Sequence, residues 1–97
     1  MKLIVSSALL ALSLSSGAAD IDAGKAKAGM CAGCHGVAGI SANDMWPSLA
    51  GQNTAYLAKQ LKAFRDGSRS DAIMNGQAKS LSDADIDNLA AYYNGLK

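Results

Sequence analysis

An all-α fold is what this sequence predicts, on three observations. Two stretches carry apolar residues at helical spacing: Leu57, Leu61 and Phe64 in one, Ile86, Leu89, Ala90 and Tyr93 in the other. Each stretch is preceded by a side chain suited to cap a helix, Asn53 and Ser82 respectively. Beyond the first five residues no run of β-branched residues reads as a strand. Helices joined by loops, three to five in number and all short, are expected to make up a single domain of this 97-residue chain.

The chain opens Met1-Lys2, runs apolar from Leu3 through Leu14, and leaves through Ser15-Ser16-Gly17-Ala18-Ala19. A basic start, a dozen apolar residues and a small-residue exit form a secretory signal peptide, residues 1–19, with cleavage after Ala19 or its neighbour Ala18. A membrane anchor needs roughly 20 apolar residues and this run is shorter. The domain is then residues 20–97, expected to be soluble and exported. Lys2 leaves with the leader, so eight basic residues face eight aspartates, with no glutamate. That balance argues against nucleic acid, which takes a strongly basic face. No transmembrane segment is expected in the remainder.

About Asp22 to Met30 reads as a first helix, capped by Asp20 or Asp22. Gly24 and Ala28, four apart on one face, invite close approach by another helix. Residues 36–44 form a loop by their Gly, Ser and Asn content, and Pro47, the sole proline, stiffens the stretch after Met45-Trp46. A helix from Thr54 to about Arg65 stops at Gly67, and its apolar stripe is assigned to the core with no chemistry. Arg69 to Ser80 reads as a small-residue, turn-forming segment carrying Met74. The last helix starts at Ser82, with a staple of Leu81 on Ile86, and is closed by Gly95.

Both cysteines and the only histidine fall within Cys31-Ala32-Gly33-Cys34-His35. C-x-x-C-H is the attachment signature of c-type haem: two thiols form thioethers on the macrocycle and the adjacent imidazole reaches the iron. A redox dithiol needs βαβ patterning around the motif. A zinc site needs about four ligands, one more than the Cys and His residues present. A disulfide closing a two-residue loop restrains little. Composition points the same way: residues 20–97 hold few large apolar side chains, and a core this poor needs a bound body to fill it.

With a single histidine, the iron's other axial position falls to methionine, water, Lys or Tyr; a thioether suits electron transfer. Met30 adjoins the motif too closely to cross the ring, while chain length alone allows Met45 or Met74. Trp46 is a candidate to pack on the haem edge or to fill core.

The sequence resembles the class I cytochromes c, nearest the small bacterial domains that occur singly or as halves of tandem dihaem proteins. The blocks that carry the resemblance are Cys31–Gly36, Trp46–Gln52, Tyr56–Leu61, Ile73-Met74, Leu81–Ile86 and Leu89–Tyr92. It implies one covalent haem c on Cys31 and Cys34, with His35 and Met74 as iron ligands. It implies a backbone carbonyl of Pro47 against the proximal imidazole, and crossed terminal helices. Trp46, Gln52, Tyr56 and Arg65 are the further haem contacts it suggests. A single motif rules out the tandem form within this chain. The function implied is a soluble periplasmic carrier of single electrons in a respiratory chain, not an enzyme. Such a carrier docks redox donors and acceptors transiently at its exposed haem edge and is expected to be a monomer. The alternatives are a haem enzyme or sensor (peroxidase or gas-binding) with a displaceable Met74, or an electron-entry subunit of a larger redox complex.

Overall fold

In a computed structural model of the chain, residues 18–96 are described; the leader expected at residues 1–19 lies almost wholly outside them. Five α-helices follow one another with no strand among the described residues: α1 (Ile21–Lys27), α2 (Ala32–His35), α3 (Thr54–Asp66), α4 (Ala72–Ala78) and α5 (Asp83–Gly95). No described helix is long and apolar enough to cross a membrane.

Local chemistry sets each start. Asp20, not Asp22, caps α1 by accepting the Ala23 N–H at 3.0 Å, and Asp22 lies in the first turn where the helix dipole favours a carboxylate. The expected single helix to Met30 is instead broken in two. Ala28–Met30 tightens into a 3-10 turn, closed by the Cys31 N–H on the Ala28 carbonyl. Gly29 and Gly33 weaken helix propensity here, and α2 restarts as a single turn carrying the C-x-x-C-H residues. Gly36, at φ +94°, ends α2 where a side chain would strike the Ile40 backbone.

Asn53 caps α3 through the Tyr56 N–H at 2.9 Å, and Gly67 at φ +86° ends it. Helix α4 was not expected. Asp71 starts it, accepting the N–H groups of Ile73 and Met74. Ser82 and Asp85 form a full capping box on α5. Gly95 does not stop α5: it is the last helical residue, and Leu96 beyond it turns extended.

Helix α1 crosses α5, and α3 rests on both α5 and α4. The backbone N–H of Asp20 donates to Asn88 Oδ1 at 2.8 Å, tying the start of α1 to α5. The Arg65 guanidinium pairs with Asp83 at 2.7 Å and donates to the Leu81 carbonyl, joining the end of α3 to the start of α5. A β-carbon on Gly24 would collide with the Asn88 carbonyl and crowd Tyr92. Gly24→Ala gains about 1 kcal/mol in helix propensity. Overpacking costs about 1–3 kcal/mol, toward the upper end because the obstacle is backbone. A net loss of about 1–2 kcal/mol is therefore expected, read as a lower denaturant midpoint.

The core is small. Its buried members are Ala28, Leu57, Ala78, Leu81, Ile86, Leu89, Ala90 and Tyr93, and among the described residues only Ile86 and Leu89 are large and fully buried. Space that larger side chains would fill is left open between α2, α3, α4 and α5.

Candidate haem site

That space is a cavity of about 420 Å³, within the range of small-molecule and cofactor sites. One wall comes from Cys31, Cys34 and His35, with Met30 beside them. A second is the loop from Met45 to Leu49, with Gln52. Helix α3 contributes Tyr56, Leu57, Gln60, Leu61 and Phe64. Met74 and Gln77 enter from α4, and Leu89, Ala90 and Tyr93 from α5. The stripe of α3 read as core thus also walls the cavity: Leu57 is buried, Leu61 and Phe64 half-buried.

His35 is the one buried polar side chain among the described residues, 7 % exposed. Its Nδ1 lies 2.6 Å from the Pro47 carbonyl oxygen. A carbonyl only accepts, so Nδ1 carries the proton and donates, which leaves Nε2 with the free lone pair. Such a bond also fixes ring orientation and basicity. The loop holding Pro47 is itself fastened: the Gly39 carbonyl accepts from Leu49 and Ala50 at 2.7 and 2.9 Å, and Gly51 N–H donates to the Tyr93 carbonyl at 2.8 Å.

Cys31 and Cys34 are free thiols, both half-buried. Burial pushes the Cys31 thiol up from its ordinary value; a hydrogen bond with Tyr93 opposes this and Cys34 adds to it. Tyr93 is likewise pushed up, by burial first and then by Cys31. Both groups therefore stay protonated near neutral pH. The thiols sit close together, half-buried, on the edge of a mostly apolar space.

Three methionines line the cavity, Met30, Met45 and Met74. Met45 is 80 % exposed and stands two residues from Pro47, on the segment that braces His35. Met74 is half-buried and projects from α4. Trp46, Pro47, Gln52 and Tyr56 all line the cavity. Arg65 is not among the lining residues; its guanidinium is engaged by Asp83 and the Leu81 carbonyl. The arginine that lines the cavity is Arg69, stacked 4.5 Å from the centroid of Phe64 and donating to Gln60 Oε1 at 2.7 Å. Its position, two residues past the helix-stopping Gly67 and just before Met74, is the signal that could have singled it out. Gln60 likewise stands one turn after Tyr56 on the same face.

Two adjacent thiols, an imidazole with its free nitrogen set by a backbone carbonyl, and an apolar cavity around them fit a covalently held haem. The fold and this site define a c-type haem protein. The family model described as cytochrome c matches residues 21–97. Cytochrome c-554(548) of Halomonas halodenitrificans is 44% identical over 79 residues, covering 78% of this chain and 95% of that protein. Cytochrome c4 of Pseudomonas aeruginosa is 43% identical, covering 99% of this chain but 49% of its own length. The crystal structure of reduced recombinant cytochrome c4 from Pseudomonas stutzeri superposes with a TM-score of 0.74 at 39% identity, over 81% of this chain and 50% of that one. The chain thus spans about half the length of the cytochromes c4 it matches.

The chain belongs to the cytochrome c family. Membership carries with it covalent haem c, its iron, and electron transfer by a c-type cytochrome.

Proposed function

We propose that this chain is a periplasmic carrier of single electrons, exported by a leader cleaved near Ala19, and that it has no catalytic turnover of its own. The observation that carries the reading is the pairing of His35, held by Pro47 with Nε2 free, with the thioether of Met74 on one cavity. Bound there, haem supplies a one-electron ferrous–ferric couple, raised in potential by a sulfur ligand. Cys31 and Cys34 would hold the group through two thioether bonds, and His35 Nε2 and the Met74 thioether would bind its iron. With both residues bound to it, the iron would have no position open to a substrate. The apolar walls exclude water and hold Met74 and His35 in place through both oxidation states, so little has to rearrange when an electron moves.

Partners are redox proteins that dock briefly near the thioether edge, where Val37 is 85 % and Ile73 50 % exposed. Small interfaces suit fast release. A relative of this chain is the thiosulfate dehydrogenase electron acceptor of Thiomonas intermedia, 46% identical over 72 residues, which supports a redox enzyme as the donor.

The test uses the haem-loaded protein. A reversible one-electron titration, a low-spin ferric spectrum and a ferrous form that does not bind carbon monoxide are the expected results. A high-spin ferric spectrum, or ready carbon monoxide binding, overturns the carrier in favour of a haem enzyme or sensor.

A further inference from the structure

Asn75 follows Met74 on α4 but does not line the cavity. Its side-chain amide is instead bonded to three separate backbone groups. Nδ2 donates to the Phe64 carbonyl at 2.8 Å and to the Arg69 carbonyl at 2.8 Å, while Oδ1 accepts the Asp71 N–H at 2.7 Å. Both amide donors and one acceptor position are thereby used. Each partner sits where the chain must be held. Phe64 is in the last turn of α3, whose carbonyls have no intrahelical partner. Arg69 belongs to the turn that follows, which is also tied back by its N–H on the Ala63 carbonyl. Asp71 is the cap of α4, and its carboxylate in turn accepts the Met74 N–H at 2.9 Å.

These bonds make a closed circuit. Asp71 holds the Met74 backbone; Asn75 holds Asp71; and the same amide anchors both to α3. Side-chain return to the cap N–H is the job a capping box gives to the third helical residue. Here the fourth residue does it, and its remaining donors fasten the helix to a neighbour. Helix α4 is only seven residues long and carries a glycine, Gly76, just after its first turn, too little to be rigid alone.

We propose that Asn75 is a positioning residue for Met74: its three backbone hydrogen bonds lock the first turn of α4 onto α3 and so hold the Met74 thioether against displacement. This rests on Met74 as an axial ligand, and the experiment separates the two claims.

The measurement is a titration of the ferric haem-loaded protein with imidazole, together with the intensity of the sulfur-to-iron charge-transfer band. Asn75→Ala is expected to half-saturate at an imidazole concentration about tenfold lower than the wild type, since three hydrogen bonds that favour the closed loop are lost. Asn75→Asp, which keeps an acceptor for Asp71 but loses both donors, is expected to shift in the same direction and serves if the alanine variant does not accumulate. Ser82→Ala removes the cap of α5 and weakens the fold without touching α4; it is expected to stay within about twofold of wild type. In a Met74→Ala background, Asn75→Ala is expected to change nothing further.

An unchanged midpoint in both Asn75 variants overturns the proposal. So does an equal shift in Ser82→Ala, or a tenfold shift that persists in the Met74→Ala background. If Met74→Ala alone keeps the charge-transfer band, the ligand assignment has failed and the proposal falls with it.

Discussion

Replacing Met74 with alanine is expected to abolish the low-spin ferric spectrum and to convert a protein that ignores carbon monoxide into one that binds it stoichiometrically. Met74 is half-buried on α4, its backbone pinned by Asp71, and its thioether lines the same cavity as His35. The other two methionines at the cavity are poorly placed to replace it. Met30 directly precedes Cys31 and closes the 3-10 turn leading into α2. Met45 is 80 % exposed and belongs to the loop whose Pro47 carbonyl already braces His35. Met45→Ala is therefore expected to leave the spectrum unchanged. Loss of the charge-transfer band in Met45→Ala, with Met74→Ala normal, reverses the assignment.

Removing both cysteines is expected to leave a chain that does not fold. The core owns two large, fully buried side chains, Ile86 and Leu89, around a cavity of about 420 Å³. Left empty, that space deprives the side chains lining it of packing partners, which is destabilising. A domain of this size has a net stability of about 5–15 kcal/mol at best, and small domains sit low in that range. The empty state therefore collapses or unfolds rather than persisting. Circular dichroism of Cys31→Ala/Cys34→Ala is expected to show little helix and no cooperative melt. A sharp thermal transition in that variant is incompatible with the core argument.

Legibility in the sequence followed the range of the interactions. The stripe of Leu57, Leu61 and Phe64, the cap at Asn53 and the staple before Ser82 are local patterns, and α3 and α5 begin where these place them. Helix α4 has no apolar period and contains Gly76; it exists because Asp71 caps it and Asn75 reaches back to α3, 11 residues away. The cap at Asp71 is local, but the bond from Asn75 to Phe64 is not. Arg65 and Arg69 lie four residues apart, Arg65 engaged by Asp83 of α5 and Arg69, beyond the end of α3, lining the cavity. Gly95 read as a stop, yet α5 runs through it, because a helix end in this position needs no left-handed residue when Leu96 turns extended.

The bond from Asp20 to Asn88 joins residues 68 positions apart. Closing a flexible loop of that length costs about 4 kcal/mol of chain entropy before the α1–α5 contact returns anything. Contacts this far apart in sequence slow folding. The haem-bearing cysteines lie just inside one end of that loop, and the cavity they open onto is lined by residues from α3, α4 and α5. A body tethered at Cys31 and touched by each later helix divides one long closure into several short ones. A prosthetic group held there would act as a folding template as well as a redox centre.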